Sequence, residues 1–266
     1  MKKIGFIGAG NMGLPLLMGA TKLLGAEQLT FFCADDFSNK RAHETTGVEQ
    51  AESLENLIQT SECVLLAVKP QSFGEVLPVI KENTFEGQVI ISLAPGVTVD
   101  YLSEETGGKT KIVRTMPNTP AMVGEGMTAV CYGSDDFTAV EKKLVQDLFE
   151  TVGKMVELPE RLMDAAVVAN GSSPAFVYIF MEALADGAVK FGIPRATAYE
   201  MVAQTVIGSA KMLLETGEHP GKLKDNVCSP GGTTIAAVAA LEEAGFRNAV
   251  IKACDACYEK ATGLKK

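Results

Sequence analysis

The sequence has no tryptophan, only two histidines and no excess of basic residues. Its 24 lysines and arginines stand against 33 aspartates and glutamates, so the formal net charge is −9 and nucleic acid is not an expected partner. No segment approaches the ~20 apolar residues of a membrane span, and the strongest candidate, "PAFVYIFM" from Pro174, follows the polar "NGSS". We therefore expect a cytoplasmic protein with no membrane partner.

Metal-binding patterns are also scarce. His43 and His219 cannot by themselves form a histidine-rich site, and three of the six cysteines lie in apolar runs, where a reduced thiol behaves as a small hydrophobe. Cys254 and Cys257 form a single CxxC in a helical pattern, whereas zinc would need a second pair and a thioredoxin-like site its own βαβ setting. We expect no metal.

Up to about residue 157, apolar strand-like runs alternate with helical patterns, as in parallel βαβ folds. The predicted strands are Lys3–Ile7, Leu29–Ala34, Cys63–Val68, Gln88–Leu93, Lys111–Met116, Met127–Tyr132 and Lys154–Glu157. Helices are predicted at Met12–Leu24, Phe73–Lys81 and Asp136–Val152. The pattern predicts an α/β domain with a doubly wound, mostly parallel sheet over residues 1–158.

Strand signals disappear after Pro159. A Ser173-Pro174 cap predicts a helix that ends at Gly192, and Pro194 opens another that runs to about Glu215. Residues 196–210 contain one charge, so this helix must be buried on every side. Residues 159–266 are thus predicted to be all-α, and we favour a homodimer through these helices over packing on the chain's own N-terminal domain.

The chain start "MKKIGFIGAGNMG" is interpreted as a strand and a turn, because glycines interrupt its apolar run. Gly8, Gly10 and Gly13 have GxGxxG spacing between a strand and a helix, which indicates a Rossmann dinucleotide site. The first glycine permits the turn, the second lets the backbone approach a pyrophosphate, and the third lets the helix pack on the strand. The intervening Ala9, Asn11 and Met12 belong to the same predicted site.

Further cofactor residues are predicted where other strands end. They lie in "LLAVKPQSF" and "SLAPGV" and comprise Ala67, Val68, Lys69, Pro70, Ala94, Pro95 and Gly96, while "RTMPNTP" marks another such strand exit. Asp35 could accept hydrogen bonds from an adenosine ribose, which favours NAD(H), but Ser38, Lys40 and Arg41 could hold a 2′-phosphate, which favours NADP(H). Either cofactor stays open.

Five motifs carry a family resemblance over nearly the whole chain, and "SPGGTT" is the most specific of them. The motifs are "GFIGAGNMG", "LAVKPQ", "MPNTPA", "NGSSPAF" and "KDNVCSPGGTT". Together they resemble pyrroline-5-carboxylate reductases, which reduce Δ1-pyrroline-5-carboxylate to proline with NAD(P)H in the last step of proline biosynthesis. The resemblance implies a Rossmann domain, a helical C-terminal dimerisation domain, and dimers that often assemble into decamers.

The resemblance also implies a substrate site. The bend Pro230-Gly231-Gly232 would leave the first amides of the next helix free for a carboxylate. By analogy, the substrate carboxylate meets Gly232, Thr233, Thr234 and Ser229, and the Thr234 hydroxyl, the catalytic group, reaches the ring nitrogen. Glu160 matches a substrate-pocket acid of the family, and Asn226 matches a residue near the nicotinamide.

The sequence departs from the usual pattern of the family at two places. The family often has Ser-Gly-Ser-Gly-Pro where this chain has residues 170–174 "NGSSP", and Pro95 stands where a small residue is commoner.

Two alternative functions remain open. β-Hydroxyacid dehydrogenases carry a helical GxxxKxxxN, which Lys222 and Asn226 match in spacing, but position 218 is glutamate. A non-catalytic NAD(P)-sensing protein is the other alternative, since fold does not determine function.

Overall fold

A seven-stranded sheet organises the N-terminal part of the chain, in a computed structural model that describes residues 2–263. Its strands are β1 Lys2–Ile7, β2 Leu29–Phe32, β3 Ser61–Leu66, β4 Val89–Ser92, β5 Lys111–Met116, β6 Gly126–Tyr132 and β7 Gly153–Glu157. Their order is β2-β1-β3-β4-β5-β6-β7, and every pair is parallel except β5–β6. The mostly parallel sheet is confirmed, and each predicted strand matches an observed one within a few residues.

Helices connect the parallel strands and cover both faces of the sheet. They are α1 Gly13–Leu24, α2 Asp36–Thr46, α3 Leu54–Thr60, α4 Phe73–Asn83, α5 Val99–Glu105, α6 Ala139–Glu150 and α7 Met163–Ala166. Successive strand residues alternate between two apolar clusters, since Phe6 packs in one and Ile7 in the other. Each face of the sheet therefore has its own core.

Helix α6 begins three residues later than the sequence predicts. Thr138 forms a capping box with Glu141: its hydroxyl accepts from the Glu141 N–H at 3.2 Å, and the Glu141 carboxylate accepts from the Thr138 N–H at 2.6 Å. This reciprocal cap fixes the helix start, so Asp135 and Asp136 precede the helix instead of opening it.

The remaining helices follow in the C-terminal part of the chain. They are α8 Ser173–Lys190, α9 Arg195–Thr216, α10 Pro220–Val227, α11 Thr233–Glu243 and α12 Phe246–Thr262. Between residue 159 and residue 263 the structure contains no strand, which confirms the all-α prediction for that range. The ends predicted near Gly192 and Glu215 are also confirmed within two residues.

The start of α8 differs from the prediction, because the chain before Ser173 is already helical. Residues Val167–Gly171 form a π-turn in which the Ser172 N–H donates to the Val167 carbonyl at 2.7 Å. The Ser173 hydroxyl donates back to the Ala169 carbonyl at 2.8 Å and does not cap the helix. Pro174 has no N–H to continue an α-helical ladder, which explains the π-turn at this point.

The chain divides into two units, one of residues up to Pro174 with Cys257 onward, the other Ala175–Ala256. The boundary predicted after residue 158 falls inside the first unit, and as a domain boundary it stays a prediction. The stretch Glu160–Lys190 is long and apolar enough to cross a membrane by length and composition alone. A single such helix is weak evidence, since the core helix of a soluble protein and a signal sequence pass the same test.

Candidate active site

A crevice of about 640 Å³ opens at the carboxyl edge of the sheet, beside the position where the chain leaves β1 and β3. Three loops line it, one after each of β1, β3 and β4. Their lining residues are Gly10, Asn11, Met12, Ala67, Val68, Lys69, Pro70, Gln71, Leu93, Ala94, Pro95 and Val97. Connections diverge here to β2 on one side and to β4 on the other, which is where open α/β sheets bind ligands.

The three motif glycines lie at positions with different constraints. Gly8 has a φ of +93°, and a Cβ on Gly13 would lie 2.3 Å from the Gly8 carbonyl oxygen, so both shape the turn and its packing. A Cβ on Gly10 would meet no atom within 4 Å, because it would enter the crevice. Met12 at the N-cap of α1 gives no side-chain hydrogen bond to the helix amides. These features fit a pyrophosphate over the loop.

Most of the predicted cofactor residues meet in this crevice, and the others lie elsewhere. Gly8, Ala9 and Gly96 lie in the same loops, and Gly13 begins α1, but none of them lines the crevice. Asn226 lies on α10 in the second unit. Gln71, Leu93 and Val97 line it but were not predicted. Their only sequence signal is that they are neighbours of residues that were.

Asp35 has a local structural role. As N-cap of α2 it accepts a hydrogen bond from the Ser38 N–H at 2.8 Å, and hydrogen bonds from Ser38 hold the pKa of its carboxyl below the usual range. The carboxylate is exposed and ionised at neutral pH, so a ribose contact stays a prediction. Lys40 pairs with Glu44 at 3.7 Å on the same helix.

A second pocket of about 440 Å³ adjoins the crevice and shares Met12, Leu93 and Pro95 with it. The other residues that line it are Met116, Pro117, Asn118, Thr119, Val167, Gly171, Ser172, Cys257, Lys260 and Ala261. The sequence predicts the "MPNT" strand exit as part of a ligand crevice, but it does not predict the contributions from the π-turn and α12. These segments are distant along the chain, and no local pattern marks them.

Asn170 holds two strands together at the edge of this pocket. Its side-chain amide donates to the carbonyls of Met116, at 2.7 Å, and Met127, at 2.8 Å. In turn the Asn118 side-chain oxygen accepts from the Met127 N–H at 2.9 Å. The position at which this chain departs from the family's usual serine therefore joins the ends of β5 and β6.

Glu160 begins the segment that leads to the π-turn. Its Oε1 accepts from the Val99 N–H at 2.7 Å and from Arg114 Nη1 at 3.3 Å. The Arg114 guanidinium is buried and also donates from Nη2 to Asp164 Oδ1 at 2.7 Å. Within the described chain, then, the Glu160 carboxylate has partners at the start of α5 and on β5.

The "SPGGTT" box lies in the second unit and has the expected local geometry. Gly231 has a φ of +69°, and Gly232 is the N-cap of α11 with no side chain to satisfy the helix amides. The first bond of the helix runs from the Ala236 N–H to the Gly232 carbonyl, so the amides of Thr233 and Thr234 precede the ladder. Such amides suit a carboxylate.

No group of three or more His, Cys, Asp or Glu residues from residues 2–263 is placed to hold an ion. Cys33, Cys63 and Cys131 are buried in the sheet, and burial raises the pKa of each thiol. Cys228, Cys254 and Cys257 are partly exposed and free.

The glycine loop, the crevice at the carboxyl edge and the helical C-terminal part define a class, the dinucleotide-dependent oxidoreductases with a Rossmann domain. One family model, described as NADP oxidoreductase coenzyme F420-dependent, matches residues 3–96, and another, pyrroline-5-carboxylate reductase dimerisation, matches residues 160–264. The pyrroline-5-carboxylate reductase of Escherichia coli K12 is 45% identical over 100% of this chain and 99% of the relative. The chain belongs to the pyrroline-5-carboxylate reductase family.

Other relatives and solved structures agree. The pyrroline-5-carboxylate reductase of Methanosarcina acetivorans is 40% identical over 100% of this chain and 98% of its own length. A Plasmodium falciparum pyrroline carboxylate reductase, solved with NADP bound, superposes with a TM-score of 0.88 at 34% identity, covering 100% of this chain and 98% of that one. The Coxiella burnetii enzyme gives a TM-score of 0.92 at 31% identity, covering 100% and 99%.

The β-hydroxyacid dehydrogenase alternative is not supported. A Mycobacterium tuberculosis 3-hydroxyisobutyrate dehydrogenase has a TM-score of 0.53 at 15% identity, covering 73% of this chain and 67% of that one, which shows a shared fold alone. Helix α10 begins at Pro220, so Glu218 lies outside the helix that carries Lys222 and Asn226. The spacing therefore does not correspond to one helical motif.

Proposed function

We propose that the crevice binds NAD(P)H and that the "SPGGTT" box binds the substrate in the reaction of this family. The chain is an oxidoreductase that reduces Δ1-pyrroline-5-carboxylate to proline with NAD(P)H. The observation that carries the site assignment is the pair of glycine-shaped helix starts: one opens onto the crevice after β1, and the other leaves amides free at α11.

The residues around the crevice fit a dinucleotide. The backbone of Gly10, Asn11 and Met12 would hold the pyrophosphate, and the loops after β3 and β4 would form the walls on either side. Ala67, Val68 and Pro95 present small or apolar surfaces that exclude water from a nicotinamide. Gly8, Ala9 and Gly13 support the turn. The other residues that we propose to contact the cofactor are Lys69, Pro70, Ala94, Gly96, Asp35 and Asn226.

The box orients the substrate. The amides of Thr233 and Thr234, beside Gly232, would donate hydrogen bonds to the carboxylate together with the Ser229 hydroxyl. Placing the anion there brings the ring nitrogen to the Thr234 Oγ1, which would accept the hydrogen bond of the protonated imine.

The chemistry makes modest demands on the side chains. Bound NAD(P)H supplies the hydride. A protonated cyclic imine already carries its positive charge, so the addition gives a neutral amine and needs no strong acid to stabilise an alkoxide. Positioning and hydrogen bonds are sufficient. We assign no catalytic role to either histidine: His43 is exposed on α2, and His219 caps α10 with its ring nitrogen.

Oligomerisation fits the surface of the second unit. Among its described residues the buried core comprises Ala185, Ala198 and Val202, while large apolar side chains of α8 and α9 are exposed. We propose a homodimer through the C-terminal helices, in which a second copy covers these faces, with assembly of dimers into decamers. Such a dimer places the apolar stretch at α8 in an interface and not in a membrane, consistent with a cytoplasmic enzyme.

Thr234→Ala tests the substrate role. Loss of one hydrogen bond to a charged group corresponds to about tenfold to 100-fold in turnover, and the Kd of NADPH should stay within about twofold of wild type. The measurements are NADPH oxidation with pyrroline-5-carboxylate and a direct NADPH titration. Thr45→Ala, at an exposed position of α2, is the control and should behave as wild type. Equal losses of NADPH binding and turnover in Thr234→Ala would refute the assignment.

A further inference from the structure

The loop that follows β4 is held at both ends. At its start the Ser92 hydroxyl accepts from the Ala94 N–H at 3.3 Å. At its end the Val99 N–H, two residues beyond the crevice-lining Val97, donates to Glu160 Oε1 at 2.7 Å. A carboxylate makes a stronger acceptor for this amide than a neutral group would. The position of the wall Leu93–Val97 therefore depends on Glu160.

Glu160 is itself fixed by a buried cation. The Arg114 guanidinium is 1% exposed, and its two terminal nitrogens donate to Glu160 and Asp164. The Arg114 Nε has no hydrogen-bond partner among the described residues, so the two carboxylates are what compensates the buried charge. Glu160 and Asp164 lie one helical turn apart on the segment that continues into the π-turn of the second pocket.

We propose that Glu160 is a positioning residue for the cofactor: through the Val99 amide it sets the Leu93–Val97 wall of the crevice. This role differs from the contact with substrate that the family resemblance implies for Glu160, and it rests on the proposed cofactor site. Arg114 and Asp164 hold the carboxylate in place, so hydrogen bonds join β5, the start of α5 and the segment that begins at Glu160.

Val99→Pro is the sharpest test, because it deletes the N–H and puts the proline Cδ in its place, so Glu160 can no longer hold this end of the loop. Proline suits the first turn of a helix, and the preceding Thr98 has the extended φ and ψ of −85° and 161° that a following proline requires. Val99→Ala is the matched control, since it loses the side chain but keeps the N–H. We expect the Kd of NADPH to rise about tenfold in Val99→Pro and less than about threefold in Val99→Ala.

Glu160→Ala and Glu160→Gln test whether the Val99 N–H needs the Glu160 side chain as its hydrogen-bond acceptor. The alanine variant should raise the Kd and KM of NADPH about tenfold, which is more than it changes the KM of pyrroline-5-carboxylate. The glutamine variant should recover most of the NADPH affinity, because its amide oxygen still accepts from Val99. Glu157→Ala, at an exposed carboxylate three residues earlier, is the control for removing a charge nearby.

Two outcomes would overturn the proposal. One is wild-type NADPH affinity in Val99→Pro. The other is a Glu160→Ala variant whose pyrroline-5-carboxylate KM rises while its NADPH Kd is unchanged, which would support substrate contact instead. Should Glu160→Ala not fold, Val99→Pro decides alone. Gly10→Val separates this failure from failure of the cofactor site: if it abolishes NADPH binding while Val99→Pro does not, the site stands and the positioning role falls.

Discussion

The glycines between β1 and the start of α1 have two different physical functions. Gly8 needs a positive φ and Gly13 needs the absence of a Cβ against the Gly8 carbonyl, so both are requirements of the fold. Gly10 has an open side in this structure, so its requirement comes from the ligand. The spacing GxGxxG alone does not separate these functions, but the space around each position does.

Substitutions at two of these glycines should therefore have opposite effects. Gly10→Val should keep the wild-type Tm and abolish NADPH binding, because the valine side chain enters the crevice where the pyrophosphate would lie. Gly13→Ala should lower the stability by about 1–3 kcal/mol, as expected for overpacking, since its Cβ would lie 2.3 Å from a backbone oxygen. Thermal melts and an NADPH titration of both variants check this. A Gly10→Val protein that binds NADPH normally would contradict the site.

At the scale of single residues, the sequence predicts which residues line the crevice better than it predicts what each side chain contacts. The strand-exit residues Ala67 to Pro70 were predicted and do line the crevice, because a proline after a buried strand is a local signal. The contacts of the Asp35 and Glu160 carboxylates were not predicted. Asp35 caps α2, and Glu160 accepts from Arg114 and Val99, which lie 46 and 61 residues away in sequence.

Individual strands were predicted best where both of their faces are buried, and individual helices where a proline marks the helix start. The strands of the sheet are near-continuous apolar runs, and α9 starts directly after Pro194. Helices α3 and α5 were not predicted, since seven residues show less than two full turns of 3.6-residue periodicity. The π-turn at Val167–Gly171 was also missed, because Ser173-Pro174 has the residues of an ordinary helix start.

The π-turn makes a testable contribution to stability through Asn170. This residue is 8% exposed and satisfies two backbone carbonyls, those of Met116 and Met127. Asn170→Ala would leave both buried without their donor, so the free energy of unfolding should fall by about 2–4 kcal/mol. Urea titration followed by circular dichroism measures the loss.

Two comparisons make the Asn170 result specific. Asn83→Ala removes an amide that donates to Val79 in its own helix and accepts from Gln59 at an exposed position, and it should cost less than about 1 kcal/mol. Asn170→Ser introduces the residue more usual in the family and, with one donor, should fall between wild type and alanine. Equal stabilities of the three Asn170 proteins would show that the two strands do not depend on this amide.

For the molecule as a whole, alternation of strands and helices was enough to predict a mostly parallel sheet followed by an all-α region. The strand order and the antiparallel β6 were not predicted. The short 3₁₀ connection Thr119–Val123 between β5 and β6 permits an antiparallel turn, whereas parallel strands need a long crossover. The second pocket was also missed, because α12 contributes residues about 90 positions after the π-turn.

The second unit carries the strongest signal of assembly. Its described core comprises three small or medium side chains, whereas Ile179 on α8 and Leu214 on α9 are 65% and 68% exposed. Large apolar faces of this kind are covered by another surface in a soluble protein, and the family model matched over residues 160–264 is one of dimerisation. In a two-fold dimer each substitution occurs twice at the interface.

Ile179→Glu and Leu214→Glu should therefore dissociate the assembly. A glutamate buried without a partner costs several kcal/mol, and two copies would raise the dissociation constant by about 1,000-fold or more. Sedimentation velocity should show wild type at a multiple of the 28.2 kDa chain mass and the variants at that mass. Val140→Glu, on α6 in the first unit and 78% exposed, is the matched control and should sediment as wild type. If both variants keep the wild-type mass, neither α8 nor α9 is covered at these positions, and the proposed dimer through the C-terminal helices is wrong.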